Sequence, residues 1–173
     1  MSGKKWTTER RSAIACLELL QGAVMAEIDG WQQPLHYGDG SSELKMLREI
    51  VGIHDLSPRG AVRLVGEGAI AAVTGLFSRQ KELAIGQARE CQIVADNGMI
   101  PLLELRLARD EFIFLTAPGD AETVTESLQT SPDSCVHTVD ISSGLAGAGI
   151  IGPQAPFLLS IITELDVSGE AFL

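Results

Sequence analysis

The sequence of 173 residues predicts an α+β protein whose centre is an antiparallel sheet with helices packed on one face. Two observations carry this prediction. Short apolar runs that suit strands follow one another between residues 61 and 141, and two segments with helical spacing interrupt them. Gly, Pro and Asn mark most changes from one pattern to the other. The resulting order, β-α-β-β-β-α-β, is typical of a split βαβ arrangement.

The elements of this central region follow from local patterns. Residues 61–65 predict a strand, after which Gly66 leads into an apolar helix. The sequence Asp96-Asn97-Gly98 predicts a hairpin turn, because Asn and Gly tolerate the positive φ angles of a type I′ turn. Further strands are predicted at 90–95, 100–107, 111–116 and 136–141, and a helix is predicted from Pro118-Gly119-Asp120 to about residue 129.

The N-terminal residues predict two helices joined by an irregular segment. Apolar positions recur close to helical spacing through residues 12–28. Pro34 and the glycines around it predict irregular backbone at 30–38. A second helix follows, with Ser41-Ser42 as its N-terminal cap and Gly52 at its C-terminal end.

A strand, a Gly-x-x-Ala turn and an apolar helix occur twice, at Gly66-x-x-Ala69 and at Gly152-x-x-Ala155. The repeat predicts a second unit over 142–173 that contains only a first strand and helix. We therefore expect a single region with three parts: an N-terminal segment (1–58), a first βαβ-type unit (59–141) and an incomplete second unit (142–173). The open strand edge needs cover from the first unit, a second copy of the chain or a partner subunit.

Charge and cysteine content exclude several classes of protein. The net charge is −10, and no basic patch is longer than two residues, so neither nucleic acid nor an anionic membrane is an expected partner. Three widely spaced cysteines without a CxxC pair indicate neither a zinc site nor a disulfide framework. Acidic and amide side chains interrupt the apolar stretch 12–28, so it predicts no membrane span. We expect a soluble, cytoplasmic protein.

Catalytic motifs are missing from the sequence. It contains no P-loop, no GxSxG and no HExxH, and it has no cluster with the spacing of metal ligands. His54 and Asp55 are adjacent, but neighbouring residues of a strand point to opposite faces and cannot pair. The residues alone predict no catalytic site and no metal site.

A family resemblance emerges from many short matches in one order. The matches are Gly22-Ala23-Val24-Met25, Gly30-Trp31, Pro34, Tyr37-Gly38, Gly52-Ile53, Asp55-x-Ser57, Gly60-x-Val62, Gly66-x-x-Ala69, Gly86-Gln87-Ala88-Arg89, Gly98-Met99-Ile100, Asp110-Glu111-Phe112 and Gly152-Pro153-x-Ala155. In this order and spacing the chain resembles the glycine-cleavage T-protein (aminomethyltransferase) superfamily of folate-binding proteins.

The resemblance implies a tetrahydrofolate-binding fold made of ferredoxin-like units, each a split βαβ antiparallel sheet with helices on one face. Typical members are much longer, and this chain is similar only to their N-terminal half. The glutamate and arginine that clamp folate later in the family have no counterpart here. The nearest analogy in length and fold is the small gamma subunit of heterotetrameric sarcosine oxidase.

The chain departs from the family pattern at the positions that matter for chemistry. The resemblance implies a pair of aspartates after the hairpin, the first of which orients folate, and this chain has Pro101 and Leu102 there. Neither side chain can accept a proton or a hydrogen bond. Glu90 replaces a family tyrosine, and a carboxylate cannot stack on a pterin ring as an aromatic side chain does. The catalytic site therefore looks lost.

Three hypotheses about function remain open. The chain is a degenerate, half-length binding module or subunit in one-carbon, glycine or sarcosine metabolism. Alternatively, it is part of a split tetrahydrofolate-dependent aminomethyltransferase completed by a partner chain. A third hypothesis is a homodimer without enzymatic activity that binds another small ligand. If a folate pocket persists, we expect it around Arg59, Met99 and Ile100.

Overall fold

The computed structural model describes residues 9–77, 81–96, 98–129 and 135–163. They form two compact units: unit 1 takes the described residues of Met1–Ser57 and Ala146–Phe172, and unit 2 takes those of Pro58–Leu145. The helices are α1 Ala15–Leu20, α2 Gly40–Glu49, α3 Ala69–Leu76, α4 Ala121–Gln129 and α5 Ala155–Thr163. The strands are β1 Arg10–Arg11, β2 Val24–Ile28, β3 Trp31–His36, β4 Gly52–Asp55, β5 Gly60–Val65, β6 Ala88–Ala95, β7 Gly98–Ala108, β8 Glu111–Thr116, β9 His137–Asp140 and β10 Ala148–Ile151. The predicted α+β class is confirmed.

Unit 2 is built on one sheet with the strand order β6-β7-β8-β5-β9. All neighbouring strands in it run antiparallel. The predicted hairpin joins β6 to β7, with Ala95 opposite Gly98; Asn97 lies outside the described residues. The element order along the chain is the predicted β-α-β-β-β-α-β.

One face of this sheet, the inner face, packs against α3 and α4. Side chains alternate between the two faces of a strand, so every second residue enters the core. The ring of Phe114 lies 6.2 Å from that of Phe77 and 6.5 Å from that of Phe112, within the range of favourable aromatic pairs. The core consists of Val62, Leu64, Ala69, Val73, Phe77, Cys91, Ile93, Leu102, Phe112, Phe114, Ala121, Val124 and Leu128.

Unit 1 contains two small sheets. The first has the order β1-β3-β2, and the second pairs β10 with β4. The second sheet joins residues that are far apart in sequence, with Ala148 opposite Asp55 and Ile151 opposite Gly52. The amide of Leu56 extends this pairing by donating to the carbonyl of Gly147 at 2.8 Å.

The predicted helix over 12–28 is wrong beyond Leu20, where α1 ends. Gly22 adopts a φ of 85°, which turns the chain out of the helix, and Val24–Ile28 forms β2 instead. A turn at Asp29 and Gly30, with φ angles of 51° and 78°, then connects β2 to β3. Both angles are positive, as a type I′ hairpin turn requires.

The expectations for 30–38 and for the next helix are also corrected. Most of the predicted irregular segment is β3, and Pro34 is tolerated there because the pairing with β2 shifts register between Val24 and Met25. The cap of α2 is Asp39, whose side chain accepts from the amide of Ser41 at 3.2 Å. Gly52 begins β4 and does not cap α2, which ends at Glu49.

The two Gly-x-x-Ala segments have the same local structure. Gly66 has a φ of 134° and Gly152 a φ of 128°. In each case the alanine amide donates to the glycine carbonyl, at 2.9 Å for Ala69 and 3.0 Å for Ala155, and a helix begins there. A β-carbon would lie 2.0 Å from the carbonyl oxygen of Cys135 at Gly66, and 2.6 Å from that of Ile50 at Gly152. Both positions of the repeat therefore require glycine, because the φ angle is positive and the main chain leaves no space for a β-carbon.

Alanine substitutions test this requirement. Gly66→Ala and Gly152→Ala should each lower the free energy of unfolding by about 2–4 kcal/mol, because backbone strain adds to a clash with main-chain atoms. Gly75→Ala is the matched control, since its β-carbon would meet nothing within 4 Å. In helix α3 that substitution should stabilise the chain by up to about 1 kcal/mol. Urea denaturation measures all three, and equal effects at the three positions would contradict the requirement for glycine at positions 66 and 152.

Candidate functional site

The second face of the unit 2 sheet, the outer sheet face, is apolar in its middle. The register places Leu103 opposite Leu115 and Leu105 opposite Ile113, on the side away from α3 and α4. All four side chains are half-buried. Met99 and Pro101 continue the row along β7 and are exposed.

Charged and polar side chains border this apolar surface. On the β6 side, Glu90 pairs with Leu103 and Gln92 pairs with Pro101, and both polar side chains are exposed. On the β5 side, Nε of Arg63 lies 2.8 Å from Oε1 of Glu111. Within the part of the chain that the structure describes, Glu90 forms no ion pair, so its carboxylate is available at the edge of the surface.

The structure brings two of the three predicted pocket residues to one end of the sheet. Met99 is 57% exposed and lies on the outer sheet face near the start of β7. Arg59 is exposed and directly precedes β5, whose first residue, Gly60, pairs with Thr116 at the end of β8. Strand β8 lies between β5 and β7, so the axes of these two strands are roughly 10 Å apart. A ligand of moderate size can span that distance.

Ile100 lies apart from the other two. It is half-buried and packs against the core of unit 2, on the face opposite Met99. Consecutive residues of a strand point to opposite faces, so Met99 and Ile100 cannot both line a surface on one side of the sheet. The pocket assignment of Arg59, Met99 and Ile100 stays a prediction.

Pro101 and Leu102, at the positions where the family resemblance implies aspartates, also lie on opposite faces of the sheet. Pro101 is exposed on the outer sheet face, whereas Leu102 is 4% exposed and belongs to the core. A carboxylate at position 101 would therefore face a ligand on the outer sheet face, and one at position 102 would enter the core. The side chain of Pro101 therefore offers no acid or base on the outer sheet face.

The inner face contains an ion pair beside a small pocket that is partly open to solvent. Nε and Nη2 of Arg89 both lie 2.8 Å from Oε2 of Glu104, whose side chain is fully buried. Nη1 of Arg89 also donates to the carbonyl of Lys81. Burial, with the charge of Glu104, raises the pKa of the Cys91 thiol to about 11. These groups hold the segment before β6 in place and leave Cys91 unreactive.

A second buried arginine clamps the same region. The guanidinium of Arg106 donates to the carbonyls of Leu83 at 2.6 Å and Arg109 at 3.0 Å. It also forms an ion pair with Glu82 at 2.5 Å. Because most donors of Arg106 are used within unit 2, this side chain is structural.

Comparison with known proteins identifies the chain's relatives. The family model of the GCVT N-terminal domain matches residues 17–173. The chain is 29% identical over 164 residues to an aminomethyltransferase of Streptomyces avermitilis, covering 92% of this chain and 44% of that protein. It is also 29% identical over 180 residues to the sarcosine oxidase subunit alpha of Corynebacterium sp. strain U-96, covering 94% of this chain and 19% of that subunit.

Solved structures share the fold. The glycine cleavage system aminomethyltransferase T of Bartonella henselae superposes with a TM-score of 0.77 at 21% identity, covering 89% of this chain and 44% of that one. A chain of the heterotetrameric sarcosine oxidase of Corynebacterium sp. U-96 gives a TM-score of 0.54 at 16% identity, covering 88% and 65%. The chain thus spans less than half of the aminomethyltransferases it matches.

No helix in the described part of the chain is long and apolar enough to cross a membrane.

Aspartate substitutions test the assignment of the two sheet faces. Leu102→Asp should lower the free energy of unfolding by about 3 kcal/mol or more, because it places a carboxylate in the core. Pro101→Asp is the matched variant, one residue away but exposed, and should change stability by no more than about 1 kcal/mol. Urea denaturation of both variants gives the comparison. A Pro101→Asp variant as unstable as Leu102→Asp would contradict the face assignment.

Proposed function

Because the chain belongs to the family of the GCVT N-terminal domain, we propose that it is a folate-binding module without aminomethyl transfer of its own. It would act as one subunit in the one-carbon metabolism of glycine or sarcosine. The observation that carries this proposal is Pro101, exposed on the outer sheet face where the family resemblance implies a folate-orienting aspartate. A proline side chain can neither take up a proton nor accept a hydrogen bond.

The residues of the outer sheet face suit tetrahydrofolate in shape and charge. Its apolar middle, around Leu103 and Leu115, suits the flat faces of a bicyclic ring. The Glu90 carboxylate at the edge would accept hydrogen bonds from ring N–H groups, and the exposed Arg59 would attract the anionic tail. When bound, tetrahydrofolate would supply a one-carbon unit. This chain's own residues would bind and orient the cofactor. Pro101 would not move a proton, because its side chain has no acid or base.

Exposed apolar surface in unit 1 supports the subunit role. Helix α5 has no buried residue, although five of its nine residues are Phe, Leu or Ile. Phe157 is 67% exposed, Ile161 is 61% exposed and Ile162 is 60% exposed. The neighbouring two-stranded sheet of β4 and β10 also exposes Ile53, at 65%. A two-stranded sheet is marginally stable alone, and apolar patches of this kind mark interaction sites.

The occupant we propose for this surface is a polypeptide similar to the part of the aminomethyltransferases that this chain does not match. That part is more than half of their length, since the chain covers 44% of the Streptomyces avermitilis protein. Such a partner would bury α5 and pair with an open edge of β4 or β10.

Ligand-dependent thermal stability tests the binding half of the proposal. With 5-formyltetrahydrofolate at about 100 times its dissociation constant, the free energy of unfolding should rise by about 2.7 kcal/mol, a Tm shift on the order of 5–10 °C. Met99→Lys, on the outer sheet face, should abolish the shift. Leu20→Lys is the matched control, because Leu20 is 81% exposed on α1, and it should keep the shift.

Each result of this titration decides one point. A flat response of the unsubstituted chain up to millimolar ligand would contradict folate binding. A shift that survives in Met99→Lys would place the ligand elsewhere than on the outer sheet face. Aminomethyl transfer by the purified chain alone would contradict the loss of catalysis.

Mixing experiments test the subunit role. The probe is the part of the Streptomyces avermitilis aminomethyltransferase beyond the segment that this chain matches. We expect a complex of one copy of each by light scattering, and Ile161→Lys should weaken it at least tenfold while leaving the Tm of the chain alone nearly unchanged. Aminomethyl transfer that appears only on mixing would favour the split enzyme over the degenerate module. A stable homodimer that does not bind the probe would contradict the proposed partner.

A further inference from the structure

The ion pair between Arg89 and Glu104 uses only one of the two carboxylate oxygens. Nε and Nη2 of Arg89 both lie 2.8 Å from Oε2. In the more favourable bidentate arrangement, two parallel N–H groups bind the two oxygens of a carboxylate separately. Oε1 of Glu104 is buried and has no hydrogen-bond partner in the described part of the chain. One oxygen of this buried carboxylate therefore lacks a donor.

An unsatisfied oxygen at this depth is unfavourable. The side chain of Glu104 is fully buried, so its carboxylate has lost the water that surrounds it in the unfolded chain. Buried polar atoms are nearly always hydrogen-bonded in folded proteins, and leaving one without a partner costs stability. Protonation of Oε1 would not remove this cost, because the added O–H would itself need an acceptor. The carboxylate needs a further hydrogen-bond donor.

The small pocket beside the ion pair can admit that donor. Its walls come from α3, from the segment before β6 and from the sheet, and they include Val73, Thr74, Leu83, Arg89 and Glu104. The pocket is partly open to solvent, and its enclosed part has room for about one molecule the size of water. A donor that reaches Oε1 must therefore be very small.

The charges around the pocket favour a neutral donor over a cation. Arg89 pairs with Glu104, and Arg106 pairs with Glu82, so the four charged side chains balance. An added cation would lose its hydration without meeting an excess of negative charge. Water combines the required size with neutrality and can donate two hydrogen bonds.

A water molecule in this pocket would also find a donor of its own. Arg89 carries five N–H groups. In the described part of the chain, two of them bind Oε2 of Glu104 and a third binds the carbonyl of Lys81. Two N–H groups are left, and Thr74, which lines the same pocket, carries a hydroxyl. An internal water typically needs two to four polar partners, and these groups supply them.

We propose that unit 2 binds one internal water molecule in this pocket, which donates to Oε1 of Glu104 and accepts from a remaining N–H of Arg89. The water completes the ion pair, because both carboxylate oxygens then have partners. It also keeps the space beneath α3 occupied, so this pocket is a hydration site and not a site for an organic ligand. The site lies on the inner face and does not depend on folate binding to the outer sheet face.

A crystal structure of the full chain, at a resolution that shows ordered water, is the direct test. We expect one water molecule about 2.7–2.8 Å from Oε1 of Glu104, with Nε and Nη2 of Arg89 still on Oε2. Two observations would overturn the proposal. One is an Oε1 that accepts directly from a protein group, and the other is an Oε1 with no water within hydrogen-bond distance.

The variant Val73→Ile tests the site in solution. The added methylene group enters the pocket, displaces the water and leaves Oε1 of Glu104 unsatisfied. Magnetic relaxation dispersion, which detects long-lived internal water, should lose the signal of one molecule, and the Tm should fall by a few degrees. Val136→Ile is the matched control, since Val136 packs against the core but does not line the pocket, and it should keep the signal. A Val73→Ile variant with an unchanged water signal and a higher Tm would show that the pocket is dry.

Discussion

The packing of α3 and α4 against the inner face of the unit 2 sheet is the contact on which the rest of the structure depends. Phe112 and Phe114 lie 6.5 Å apart and enter this core together, which fixes the register of β8 and of the strands beside it. A slip of one residue would send both rings to the other side of the sheet. The same register places Pro101 outside and Leu102 inside, so it also decides which residues can meet a ligand.

The central sheet could be predicted because its local signals agree. Alternating apolar residues, the turn at Gly98 and the Gly66-x-x-Ala69 connection each indicate the same element order. The region before it could not be predicted as well, because the apolar residues of 12–28 fit helical spacing while Val24–Ile28 also suits a strand. The positive φ of Gly22 decides between them. Pairing of β4 with β10 is invisible to local patterns, since nearly a hundred residues separate them.

The candidate site was only partly accessible from sequence. The family resemblance pointed to positions 101 and 102, but only the strand register separates the exposed Pro101 from the buried Leu102. Met99 and Ile100 are adjacent in sequence and lie on opposite faces for the same reason. Nothing in the sequence indicated that the side chain of Glu18 would be buried, because an acidic residue within an amphipathic pattern usually faces water.

The two units differ in how completely they bury their apolar residues. Among the residues that the structure describes, unit 2 has a core of thirteen buried residues, whereas no residue of α5 in unit 1 is buried. We propose that unit 2 is stable on its own core, whereas unit 1 is completed by a further polypeptide. Native-state hydrogen exchange of the chain alone tests it most directly. The account predicts that amides of β5 and β8 exchange only through global unfolding, while those of β4 and β10 exchange much sooner through local opening. Equal protection of both units would contradict it.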